Sequence, residues 1–145
     1  TLIDLSRRNL GVRVLVSALE QSIIQLLLGY GIEAVAQREA PGVYINGAKI
    51  AAVGLRIRRG CSFHGVSLNL EMDLEPFNRI NPCGYQGLPI TQLSEWITPP
   101  LRSEIESTLI KLLLEQLGYN PDLLQIASQG HPNTDSLTDT LNEPK

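Results

Sequence analysis

Residues 43–58 read Val43-Tyr44-Ile45-Asn46-Gly47-Ala48-Lys49-Ile50-Ala51-Ala52-Val53-Gly54-Leu55-Arg56-Ile57-Arg58. Asn-Gly between two apolar runs is a strong signal for a two-residue hairpin turn. It predicts a short strand over 43–46 and a longer one over roughly 49–58, paired antiparallel. Strict alternation puts Lys49 on the face of Ala51, Val53, Leu55 and Ile57, a dry setting for an ammonium group.

The next stretch, 62–72, is the clearest strand. Val66, Leu68, Leu70 and Met72 fall on one face, and Gly65, Ser67, Asn69 and Glu71 on the other. A face of Gly, Ser and Asn in a core sheet points to a bordering cavity or to water. Upstream, 33–38 reads as a further short strand, separated from 43–46 by Pro41-Gly42. Before that, Val12, Leu15, Val16, Leu19, Ile23, Leu26 and Leu27 recur at three- and four-residue steps, which predicts a helix over 10–28. Asn9 is the expected N-cap and Gly29 the expected C′ residue; Arg13, Ser17, Glu20, Gln21 and Gln25 are expected on the opposite face.

Downstream, 73–90 is rich in Pro, Asn and Gly and contains Cys83. It reads as a helical turn near 73–77 followed by an ordered loop. One or two helical turns are expected over 91–97. A second helix is expected over 100–117, with Pro100 in its first turn, a stripe of Leu101, Ile105, Leu109, Leu112 and Leu113, and Gly118 as its stop. Residues 1–119 are expected to form one domain, and 120–145 a largely disordered tail of Ser, Gly, Pro, Asn, Thr and Asp. The fold class is α/β in the α+β sense: a mixed sheet, at least partly antiparallel, flanked by helices.

Composition excludes several classes. The chain has 145 residues, 43% hydrophobic and 19% charged, as in an ordinary globular domain. Its net charge of −3 provides no general attraction to nucleic acid. The apolar runs read as far short of a membrane span, and no signal-peptide pattern opens the chain. Two cysteines do not suggest a disulfide scaffold, so a reducing, cytoplasmic setting is expected.

The residues able to do chemistry are few, and each has two open readings. Cys83, held between Pro82 and Gly84, is an exposed nucleophile or a small buried residue in a tight loop. Lys49 snorkels to water, or stays buried, where desolvation favours the neutral amine and makes it a usable base. Cys61 and His64 form a rival nucleophile–base pair, opposed by strand alternation. Cys61, His64 and Cys83 lack the paired spacing of a zinc site, so no metal is expected. Arg7, Arg8, Arg56, Arg58 and Arg59 form a solvated strand end or a patch for an acidic protein partner. No phosphate-cradling glycine loop of Walker or Rossmann spacing appears.

Several motifs in order carry a resemblance. Pro41-Gly42-Val43-Tyr44 is followed by Gly47-Ala48-Lys49-Ile50-Ala51-Ala52-Val53-Gly54-Leu55-Arg56-Ile57. Then come Arg59-Gly60-Cys61-Ser62-Phe63-His64-Gly65, the run from Asn69 to Leu74, and Arg79-Ile80-Asn81-Pro82-Cys83-Gly84. Over roughly residues 1–118 the chain resembles the lipoyl/octanoyl transferase family, the lipoate biosynthesis protein B type. The resemblance implies the fold shared by lipoate ligases and biotin protein ligases. It implies transfer of octanoate from octanoyl-acyl carrier protein to a lysine on lipoyl domains of oxoacid dehydrogenases or the glycine cleavage protein, with no cofactor. Cys83 would be the acyl-thioester nucleophile and Lys49 its partner. Ala52, Val53, Gly54, Gly65, Val66 and Ser67 fall where the family contacts substrate.

The family's upstream Arg-Gly-Gly and Thr-Tyr-His-Gly-Pro-Gly-Gln segments have no counterpart here, and residues 1–5 resemble the strand that follows them. The expectation is a chain equivalent to the C-terminal two-thirds of such an enzyme, with weak activity alone and an apolar edge left to pair. The alternatives are a remnant that only binds carrier protein or lipoyl domain, and an ATP-dependent lipoate or biotin-type ligase.

Overall fold

A computed structural model describes residues 3–75 and 88–120, apart from the side chains of Arg8 and His64. In chain order the elements are β1 (Ile3–Asp4), α1 (Leu5–Arg8), α2 (Val12–Gly29), β2 (Val35–Ala36), β3 (Gly42–Ile45), β4 (Ala48–Arg58), β5 (Cys61–Leu68), a 3₁₀ turn (Leu93–Glu95) and α3 (Arg102–Gln116). The five strands form one sheet in the order β1-β5-β4-β3-β2. Every pair within it is antiparallel. Parallel pairing enters at a single bridge among the described residues, Lys49 to Ile90. The mixed character of the sheet therefore rests on that bridge.

The Asn-Gly hairpin forms as expected. Asn46 and Gly47 have φ of 49° and 83°, and Ile45 pairs with Ala48 across the turn. A second two-residue turn, Arg59-Gly60, has φ of 51° and 78° and joins β4 to β5. Helix α1 packs on that turn: Leu5 N donates to Gly60 O at 2.9 Å, and a Cβ at Gly60 would collide with Ser6 Oγ. The four-residue α1 lies between the two elements that periodicity marked. Asn9, with φ of 49°, closes α1 rather than capping α2, whose N-cap is Gly11.

Helix α2 ends in a Schellman motif two residues later than expected. Gly31, with φ of 76°, takes the left-handed position, and Gly31 N and Ile32 N donate to Leu28 O and Leu27 O. Leu15, Leu19, Ile23, Leu26 and Leu27 are buried, whereas Val12, placed on the same stripe by periodicity, is exposed. The apolar length of this helix corrects one expectation. Val12–Gly29 has 18 residues with hydropathy 1.4, enough by length and composition to cross a membrane. Its apolar side is packed on the sheet, as in a core helix.

Helices α2 and α3 lie side by side on one face of the sheet. Ile23, Leu26 and Leu27 of α2 meet Val43, Ile45, Ile50 and Ala51 of the sheet and Ile105 of α3 in one core cluster. A second cluster joins Leu15, Ala18 and Leu19 to Ile3, Leu5 and Leu117. Helix α3 begins at Arg102, so Pro100 precedes it, and Leu101 at 69% exposure leaves the apolar stripe. Gly118, with φ of 72°, follows its end as expected.

Candidate active site

The geometry of the site begins with an irregularity in the hairpin. Val43 pairs with Ala51, but Tyr44 pairs with Lys49, so β4 carries one extra residue, Ile50. Directly opposed residues share a face. Val43 and Ala51 therefore face the helices, and Tyr44 and Lys49 face the other way. This corrects the alternation argument, which put Lys49 with Ala51 and Val53. A bulge re-aims the side chains on its two sides, and here it turns the lysine away from the helix layer. Ile50 and Ala51 both enter the core cluster, which accounts for the bulge energetically.

Lys49 is nonetheless dry, at 4% exposure. Its Nζ donates to Pro41 O at 3.3 Å and lies 5.3 Å from the centroid of the Tyr44 ring. The ring face and the carbonyl both favour a cation or a polarised N–H. The carbonyl itself is held in place. Tyr44 OH donates to Ala40 O at 2.6 Å, and Gly42 N donates to Glu20 Oε1 at 2.9 Å. Gly42 has φ of 143°, and a Cβ there would lie 2.5 Å from Ala51 O and 3.2 Å from Lys49 Cε. Only glycine fits that position, because the strand start and the lysine stem approach it from two sides.

Three of the cross-strand pairs of β4 and β5 unite the six expected substrate contacts. Ala52 pairs with Ser67, Val53 with Val66, and Gly54 with Gly65. Since Gly42 pairs with Ala52, the small residues Ala52, Gly54, Gly65 and Ser67 fall on the face of Lys49. They form a strip of small residues on that face, starting across from Gly42, which the lysine stem approaches. A Cβ built on Gly54 meets nothing within 4 Å. Val53 and Val66 fall on the helix face and pack against the second core cluster. There the six border an open, mostly apolar cavity of about 700 Å³, lined also by Leu19 and Ser22 of α2 and Leu109, Ile110 and Leu113 of α3.

Cys83 lies outside the described residues. The segments on either side of it are pinned at the site. Lys49 N donates to Pro89 O at 2.8 Å, and Thr91 N donates to Lys49 O at 3.0 Å. Asn69 N donates to Ile50 O at 3.0 Å, and Asn69 Nδ2 to Thr91 O at 3.0 Å. Leu93 N and Ser94 N donate to Asn69 O and Leu70 O, and Met72 N to Gln92 Oε1. The strand expected over 62–72 thus ends at Leu68, and the next residues bond to 91–94 instead.

The rival cysteine is elsewhere. Cys61 pairs with Arg58, nine residues along β4 from Lys49, or about 30 Å at the rise of a strand. Cys61 and His64 occupy positions of opposite parity in a regular ladder, which does not favour a dyad. The expected basic patch is partly assembled. Arg7, Arg56, Arg58 and Arg59 are all exposed, and the contact of α1 with the Arg59-Gly60 turn brings Arg7 to the same end of the sheet. Among the described residues no group of three or more His, Cys, Asp and Glu is placed to hold a metal.

Glu20, Pro41, Tyr44, Ile50 and the 89–91 segment were not singled out by sequence reasoning. For Glu20 a signal existed. It follows Val16 by four residues and precedes Ile23 and Leu27 by three and seven, so it stands on the apolar stripe, not opposite it. The bulge had no local signature.

Comparison with known proteins follows the same outline. Residues 1–113 match the family described as the lipoyl protein ligase A/B catalytic domain. The chain is 60% identical over 118 residues to the octanoyltransferase of Stutzerimonas stutzeri, covering 81% of this chain and 54% of that one. It is 58% identical over 118 residues to the octanoyltransferase of Pseudomonas aeruginosa, with the same 81% and 54% covered. It is 56% identical over 119 residues to that of Marinobacter nauticus, covering 82% and 56%. The chain thus spans about half the length of these relatives. Two solved structures of the Aquifex aeolicus biotin protein ligase, one in complex with biotin and ATP, share the fold. Their TM-scores are 0.62 and 0.63 at 18% identity, covering 81% of this chain and 47% and 50% of theirs. With the site built on the shared sheet and residues 1–113 matched, the chain belongs to the lipoyl protein ligase A/B catalytic domain family.

Proposed function

We propose that this chain carries the catalytic half-site of an octanoyltransferase, with Cys83 as acyl-thioester nucleophile and Lys49 as its proton acceptor and donor. The observation that carries the reading is the placement of Lys49. It is a buried lysine on the same face as a strip of small residues, beside the two pinned ends of the segment that contains Cys83. Cys83 is six residues before Pro89, which is bonded to the Lys49 backbone. A six-residue span reaches at most about 20 Å, a limit compatible with the proposed Cys83–Lys49 pair.

The chemistry follows from those groups. Lys49 takes the thiol proton, and Cys83 Sγ attacks the thioester carbonyl of octanoyl-acyl carrier protein. The carbonyl–sulfur bond to the carrier breaks, and the carrier thiol leaves with the proton returned by Lys49. An incoming lysine amine of a lipoyl domain then attacks the octanoyl-Cys83 thioester. Its proton passes to Lys49, and the Cys83 thiolate departs and is reprotonated. The first exchange replaces one thioester by another, so it needs no ATP. The eight-carbon chain would lie along Ala52, Gly54, Gly65 and Ser67, with Val53 and Val66 supporting the sheet from behind. Burying it at about 0.8 kcal/mol per methylene contributes on the order of 5 kcal/mol of gross binding.

The partners proposed are octanoyl-acyl carrier protein and the lipoyl domains of oxoacid dehydrogenases and the glycine cleavage protein, in the cytoplasm. Arg7, Arg56, Arg58 and Arg59 would meet the acidic carrier protein and raise its on-rate. Intact-mass analysis after mixing with octanoyl-acyl carrier protein tests the reading. The expected result is a gain of one octanoyl group that is absent in Cys83→Ala. A gain that survives in Cys83→Ala and vanishes in Cys61→Ala would overturn it. Turnover of free octanoate with ATP would favour a ligase instead.

A further inference from the structure

Glu20 is a buried carboxylate on the core helix, at 8% exposure, and the reaction scheme above does not use it. Its Oε1 accepts from Gly42 N at 2.9 Å, a bond that spans 22 residues and ties α2 to the start of β3. The next residue back, Pro41, is the one whose carbonyl accepts from Lys49 Nζ at 3.3 Å. The residue before that, Ala40, accepts from Tyr44 OH at 2.6 Å, and the centroid of the Tyr44 ring lies 5.3 Å from the same Lys49 Nζ. The backbone of residues 40–42 is therefore held by two side chains, Glu20 from the helix layer and Tyr44 from the far face of the sheet. Gly42 leaves room for the lysine stem, whose Cε would lie 3.2 Å from a Cβ placed there.

We propose that Glu20 is a positioning residue for Lys49: by anchoring Gly42 N it fixes the Pro41 carbonyl that aims the amine. A charge-assisted bond to a carboxylate is stronger than a neutral one, and inside the domain it is little weakened by solvent. A carboxylate on the apolar stripe of a core helix is costly unless it is bonded. Its place opposite a backbone N–H that adjoins the lysine's own acceptor gives it a task. The inference rests on the proposed role of Lys49 only for its effect on turnover; the effect on the amine itself is independent.

The test uses three variants and two measurements on the full chain. Glu20→Gln keeps an acceptor oxygen of the same reach, Glu20→Leu keeps the bulk without an acceptor, and Glu20→Asp keeps the charge but falls one methylene short of Gly42 N. The first measurement is the rate at which acetic anhydride labels Lys49, located by peptide mass, relative to the exposed Lys111. The expected result is wild-type labelling in Glu20→Gln and a rise of about tenfold in Glu20→Leu and Glu20→Asp, each with a cooperative melt. Should Glu20→Leu fail to fold, Glu20→Asp against Glu20→Gln gives the same contrast. The second measurement is octanoyl transfer, where the short and apolar variants lose about tenfold in kcat at unchanged KM, and Glu20→Gln is rescued. Unchanged Lys49 labelling in Glu20→Asp, or an equal rise in Glu20→Gln, overturns the proposal. Raised labelling with unchanged kcat supports the positioning role and overturns the catalytic role of Lys49 instead.

Discussion

The two ends of β4 carry the same kind of group in opposite settings. At its start Lys49 is buried, bulged out of alternation, and bonded through its backbone to the 89–91 segment. At its end Arg56 and Arg58 stand in solvent beside a regular two-residue turn, with Cys61 across the ladder. Both ends offer a cation, and at the far end Cys61 pairs with Arg58. The difference is desolvation and fixed aim. A buried amine held by a carbonyl and a ring face has few orientations to choose from, whereas a solvated guanidinium has many. Chemistry is therefore expected at the first end and partner recognition at the second.

The largest contrast is expected from the cysteines. Cys83→Ala abolishes the octanoyl mass gain, and Cys61→Ala leaves it intact. Next come the cations. Lys49→Met, which preserves the stem, lowers transfer by about 10²–10⁴-fold in a steady-state assay, as loss of a general base does. Arg58→Met changes kcat by no more than about twofold. If both fall equally, the distinction between the ends is lost.

The glycines sharpen the comparison at the level of stability and fit. Gly42→Ala meets Ala51 O and needs a positive φ, so urea unfolding should show a loss of about 2–4 kcal/mol. Gly54→Val meets open space on the strip of small residues and suits a strand, so its unfolding midpoint should hold. Its octanoyl transfer should fall about tenfold while a short acyl thioester is still accepted. Octanoyl turnover unchanged in Gly54→Val would move the acyl chain to the helix-side cavity lined by Leu19, Ser22 and Leu109. The smallest effect is expected at the far end. Arg58→Glu with Arg59→Glu should raise KM for octanoyl-acyl carrier protein about threefold at low salt, and the difference should vanish at high salt.

Much of this was legible in the linear chain, and the misses have physical causes. The Asn46-Gly47 turn, the long β4, and the alternation of small against branched residues in β5 are local patterns, and they formed where periodicity put them, except that β5 stops at Leu68. The pairing of Ala52, Val53 and Gly54 with Ser67, Val66 and Gly65 follows from the second tight turn at Arg59-Gly60 and the regular ladder it starts. Glu20 was misplaced because polarity outweighed its position among Val16, Ile23 and Leu27. The end of α2 shifted because Gly31, not Gly29, satisfied the last carbonyls of the helix.

What the chain determined alone is the set of elements and the family motifs, because turn chemistry and hydrophobic period act over a few neighbouring residues. What only the tertiary structure decided is the face on which Lys49 lies and what holds it there. Ile50 is an extra residue in the ladder because the helix layer has room for both Ile50 and Ala51, and that packing lies outside any local window. The carbonyl and the ring beside the amine come from Pro41 and Tyr44, and the carboxylate that holds Gly42 comes from Glu20. They converge because a buried polar group must find partners, whatever their distance along the chain.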